Sequence, residues 1–148
     1  MILLAALLLG LLTGARTFMA LALVSGYALV IAPDPLIESF AWLSEWWAFI
    51  PLIALASLEL WGDKQPRTPS RTRIGGVLAR LIAAAVAGAA LGGIPAAIAG
   101  IIGAAGGAYG CAYVRGVLAK RFKSDLQAAL VEDAFAIGGT LTVLILLV

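Results

Sequence analysis

Apolar residues fall along this chain in long unbroken blocks, not in the period-two alternation of half-buried strands or the one-sided stripes of soluble helices. The first block runs from Ile2 to Ala32 and stops at Pro33 and Pro35. As one helix it would measure about 46 Å at 1.5 Å per residue, more than an upright crossing of a hydrocarbon core of about 30 Å needs. Thr13-Gly14-Ala15-Arg16-Thr17 interrupts it. The pattern predicts a single span over about 3–32, kinked or extended near Gly14, with a break there into two unequal pieces as the alternative. Residues 33–45 carry Asp34, Glu38 and Glu45 and no Lys or Arg, and Leu36 to Trp47 predicts a short helix in the interface. A second span follows at about 46–62, with a kink expected at Pro51, which lacks an N–H. Ile74 to Tyr113 is again apolar, broken at Gly92-Gly93-Ile94-Pro95. Read as a tight hairpin, it predicts spans at about 76–91 and 96–117, and a fifth at about 126–147. The expected fold is all-α: one membrane domain over 1–148, a bundle of about five transmembrane helices.

Composition agrees with the pattern. Hydrophobic residues make up 63% of the chain, charged residues 12%, and mean hydropathy is +1.07; soluble domains are nearer half apolar and a quarter charged. Residues 2–12 resemble a signal-peptide core, but neither a basic stretch before them nor a small-x-small site after them is present, so the segment is expected to be retained. Trp42, Trp46 and Trp47 at one end of the second span and Trp61 at the other match interfacial aromatic belts. Lys64, Arg67, Arg71 and Arg73 form one basic segment, and Lys120, Arg121 and Lys123 another. Two predicted spans separate them, so both can stay cytoplasmic, which predicts an N-terminus inside and a C-terminus outside. A full hairpin in the first block would move the N-terminus outside. The same basic residues suit anionic lipid headgroups, and with the membrane explaining the charge no nucleic-acid partner is expected.

Small residues recur at four-residue spacing. Gly103 with Gly107, and Gly106 with Gly110, are GxxxG pairs, and Ala84, Gly88 and Gly92 continue the pattern on the preceding span. Such residues let backbones approach closely where lipid gives no hydrophobic drive to association. The expected role is helix packing within the bundle or across a homodimer, with a smooth substrate path as the alternative.

Ionisable groups inside apolar blocks are the most informative chemistry, because each is costly at hydrocarbon depth. Arg16 lies between Leu12 and Phe18; Glu59 and Asp63 share a face at i, i+4; Asp125 and Glu132 share a face seven apart, with Asp133 beside them. Ala129, Ala136 and Thr140 extend that face as a small and polar stripe, expected to meet protein or water. Arg16, Arg80 and Arg115 are the candidate counter-ions. The acids are expected either to fix helix register as ion pairs or to line a polar cavity for an ion or charged solute. With no histidine in the chain, no cofactor is evident; carboxylates alone would suit a hard divalent cation. The single cysteine, Cys111, allows no intrachain disulfide.

Gly14-Ala15-Arg16-Thr17-Phe18, Glu59-Leu-Trp-Gly-Asp63-Lys64-x-Pro66 with Pro69-Ser70-Arg71-Thr72, Arg80, and Ala129-Leu-Val-Glu132-Asp133 are together similar to the motifs of a family of small bacterial inner-membrane proteins of unknown function. The resemblance implies a bacterial inner-membrane location and one shared site of Arg16, Glu59, Asp63, Lys64, Arg71, Glu132 and Asp133; it implies no activity. Three functions stay open: a small transporter or channel-like protein, a metal-dependent membrane enzyme acting on a lipid phosphate, and a non-catalytic assembly or lipid-organising subunit. An enzyme is the less favoured class, since no nucleotide-binding loop, Ser/His/Asp set or redox motif is present.

Overall fold

The computed structural model describes residues 1–31, 36–62 and 74–147. Among them every regular element is helical: α1 (Ile2–Ala15), α2 (Met19–Val30), a 3-10 helix (Glu38–Ser44), α3 (Trp46–Gly62), α4 (Ile74–Phe122) and α5 (Asp125–Leu147). Helices α4 and α5 are long and apolar enough to cross a membrane. The 3-10 helix and α3, bent by 65° at their junction, make a third such unit if counted together.

α4 is two helical arms, 74–91 and 94–122, separated by non-helical backbone at Gly92 and Gly93. Gly93 has φ +68, a left-handed conformation that glycine adopts without a Cβ penalty. The arms fold back on each other closely. A methyl group at Gly88 would overlap the Ala96 carbonyl, and one at Gly100 would press on the Ala84 carbonyl. The predicted hairpin at Gly92–Pro95 is therefore what forms. At the other end of the second arm, Lys123 takes a left-handed φ of 53 and turns the chain into α5.

The first apolar block departs from the favoured expectation. A single span over 3–32 does not form; the helix ends at Ala15 and restarts at Met19, with Arg16 extended at φ −137 and ψ 110. α1 and α2 then run in opposite directions. Ile2 lies against Gly92 at the turn of α4. Beyond the far end of α2, the Ile37 N–H donates to the Ala90 carbonyl at 2.8 Å. Both outer ends of the pair thus sit by the α4 turn, and the break at 16–18 points the other way.

This geometry corrects the expected arrangement of the termini. Met1, Leu4 and Leu8 line a crevice with Val143, Leu146 and Leu147, so both chain ends share the end of the molecule that holds the α4 turn. The N-terminus does not lie with the basic segment Lys120–Lys123, which is at the opposite end.

α1 is the packing centre. Leu9, Leu12, Val24, Ala87, Leu91 and Leu144 are all buried in the main apolar core, drawing on four helices. Around it, large side chains such as Ile50, Trp61, Ile82, Ile102 and Leu146 are exposed, the inverse of a soluble surface and what a lipid solvent selects. Ser25 of α2 donates to the Leu43 carbonyl at 2.5 Å, fastening the 3-10 segment over α2. Trp42 stacks on Trp47 at 5.8 Å between ring centroids.

Candidate functional site

An interrupted helix inside an apolar bundle leaves amide groups that must find partners, because an unsatisfied polar group in such surroundings costs several kcal/mol. Here the partner is Glu59, one turn from the end of α3. Its Oε1 accepts from the Thr17 N–H at 2.7 Å and its Oε2 from the Phe18 N–H at 2.9 Å. A carboxylate at the start of α2 also meets the positive end of the helix dipole. Replacing Glu59 with Gln keeps the shape but leaves one acceptor oxygen for two amides. The Glu59→Gln variant is expected to lose about 1–3 kcal/mol of stability, read as an earlier unfolding midpoint in a detergent denaturation series; an unchanged midpoint would show that the clasp carries no weight.

The side chain at the break is Arg16, fully buried with 0% of its surface exposed. It forms an ion pair with Asp133 of α5. Asp133 lies eight residues into α5, about 12 Å along the helix from its start. Its neighbour Glu132 faces another guanidinium: Arg115 of α4 donates from Nη1 to Glu132 at 3.1 Å. The same guanidinium grips Asp125 through both carboxylate oxygens, Nε at 3.2 Å and Nη2 at 2.8 Å. The seven-residue spacing of Asp125 and Glu132 thus delivers both acids to a single arginine. Ala129, Ala136 and Thr140 are buried along this side of α5, and the Thr140 hydroxyl is satisfied by the Ala136 carbonyl. The stripe meets protein, as its composition predicted.

The break between α1 and α2 therefore gathers Arg16, Glu59, Asp133 and, one residue on, the Glu132–Arg115–Asp125 set. Arg80 is also buried, on the 74–91 arm one turn before Ala84. Asp63, Lys64 and Arg71 lie outside the described residues. Among the described residues no group of three or more His, Cys, Asp or Glu side chains is placed to hold a metal ion. What the residue pattern missed is the role of backbone: the amides of Thr17 and Phe18 hold Glu59. The polar Thr13–Thr17 interruption is the only trace of that in the sequence.

The glycine pairs separate into two classes. Gly103 and Gly107 face α1, where an added methyl would overlap the carbonyls of Leu7 and Leu11, and Gly10 and Gly14 face α4 with equal closeness to Gly100 and Gly107. Gly88 serves the α4 hairpin, and Gly92 sits against Ile2. Gly106 and Gly110 have nothing within 4 Å of where a methyl would stand. They border a groove of about 430 Å³ between α4 and α5, which Arg115 and Glu132 also line.

Comparison with protein-family models, curated proteins and solved structures finds no match, so the family resemblance rests on the motif residues alone.

Proposed function

We propose that this is a small integral membrane protein that carries an ion across the bilayer, with the break between α1 and α2 as its working part. In this reading α3, the two arms of α4, and α5 cross the membrane, while α1 and α2 enter and leave by the same face. The basic end, with Lys120, Arg121 and Lys123, is cytoplasmic by the positive-inside rule, which places both termini outside. The observation that carries the proposal is the convergence of buried charge on a helix break: Arg16 with Asp133, and Glu59 on the freed amides. Discontinuous helices whose ends meet ionisable groups near the bilayer interior are the recurrent ion sites of transporters, and ionisable groups at that depth are otherwise too costly to keep.

The acids make a cation the fitting cargo: Glu59, Asp125, Glu132 and Asp133 converge near the break, with Arg16 and Arg115 among their partners. The proton is the simplest cation such a set can exchange. Purified protein in vesicles holding a pH-sensitive dye, driven by a potassium diffusion potential, is expected to pass protons faster than protein-free vesicles. Glu132→Gln is expected to remove that flux while eluting as a folded species. Proton and sodium fluxes both equal to the protein-free control would overturn the proposal.

The groove beside Glu132 favours a second reading, an enzyme working on a lipid phosphate. It fits less well, because the acids that would hold a metal are engaged by arginines and backbone amides.

A further inference from the structure

The groove between α4 and α5 is open, apolar along its length and polar at one end. Gly106, Gly110, Val114 and Leu118 line it from α4, and Val131 and Phe135 from α5. From Gly106 to Leu118 it follows α4 for about 18 Å, close to the depth of one leaflet, half of a hydrocarbon core of about 30 Å. Beyond Leu118, Arg121 continues the same helix face at the next turn, with Lys120 and Lys123 beside it, all three exposed. Among the described residues none of the three is engaged by an acid. Among the described residues of the groove and the helix end beyond it, Lys120, Arg121, Lys123 and Arg115 stand against Asp125 and Glu132, four positive charges to two negative.

From this geometry we infer that the groove is a binding site for one anionic phospholipid. An acyl chain lies along Leu118, Val114, Gly110 and Gly106, and the phosphate sits at Arg121 and its lysine neighbours. The glycines matter here for the width they leave: a side chain at 106 or 110 would stand where the chain runs. The groove shares Arg115 and Glu132 with the ion site proposed above, but it does not need the Arg16–Asp133 pair, and Gly110→Leu tests it without touching any of those charges.

The test uses the full chain purified in detergent, with phosphatidylglycerol or phosphatidylcholine titrated in and the lipid-bound fraction read by native mass spectrometry. Wild type is expected to hold one phosphatidylglycerol in clear preference to phosphatidylcholine. Gly110→Leu, whose Cβ has no atom within 4 Å, sends its side chain into the groove and is expected to lower the bound fraction at least about tenfold. Gly116→Leu, whose Cβ is equally clear but which lies outside the groove lining, is expected to bind as wild type does. Neutralising Lys120, Arg121 and Lys123 to Gln together is expected to erase the preference between the lipids, a loss of about tenfold or more. Equal binding of the two lipids by wild type, or full binding by Gly110→Leu, would overturn the site. So would a lipid-free dimer that Gly110→Leu splits, which would make a second copy of the chain the occupant.

Discussion

Gly107→Leu is expected to cost the fold about 3 kcal/mol or more, while Gly106→Leu, one residue earlier, is expected to cost less than about 0.5 kcal/mol. The difference lies in what each Cβ meets. At Gly107 it would overlap the carbonyl of Leu11 on α1. That atom belongs to helical backbone, and no rotamer change can move it aside. Relief requires α1 to withdraw from α4, and α1 anchors the apolar core through Leu9 and Leu12. Overpacking a well-filled interior costs about 1–3 kcal/mol even where side chains can adjust, so a clash with backbone belongs at or above the top of that range. Gly106 faces the open groove, where a side chain finds empty space. Exposed substitutions away from special features stay within about 0.5 kcal/mol. Unfolding titrations of both variants in the same detergent give the comparison; equal stabilities would mean that α1 does not pack on this face of α4.

The same pair of glycines shows how far the chain's pattern could be read. Both GxxxG pairs have identical spacing, so periodicity marks them alike, and only the placement of α1 decides which face is filled. Elements bounded by strong local signals were legible. Trp46–Gly62 ends at a polar segment, α4 turns where Gly92-Gly93 and Pro95 interrupt an apolar run, and α5 begins after a basic cluster. In each case a local breaker and the cost of exposed backbone act within a few residues. The first block carries no proline or glycine pair between Ile2 and Ala32. Its break is stabilised by an acid 42 residues away, and local propensity holds no record of such a partner. The break, given by the sequence as the alternative to a single span, decides the path of α2 and so which end of the bundle the chain starts from. The acids and arginines were legible as a group because their burial is costly in any arrangement. Their pairing was not: Arg16 meets Asp133, while the backbone amides of the break engage Glu59.

That division of partners sets the expected outcome at the ion pair itself. Arg16 is sealed from solvent and Asp133 nearly so. Removing one member takes an opposite charge from the other in a low-dielectric interior, which costs about 3–5 kcal/mol, whereas removing both takes away the desolvation penalty of the pair along with its attraction. Arg16→Gln and Asp133→Asn are each expected to destabilise by that amount. The double variant is expected to fall well short of the sum, with a coupling of at least about 1 kcal/mol, as direct contact requires. Glu59→Gln combined with Asp133→Asn supplies the contrast. Glu59 holds the amides of α2 and Asp133 holds the guanidinium, so their effects are expected to add within about 0.5 kcal/mol. Full additivity of Arg16→Gln with Asp133→Asn would show that the two charges do not depend on each other, and the helix break would then be held by the Glu59 clasp alone.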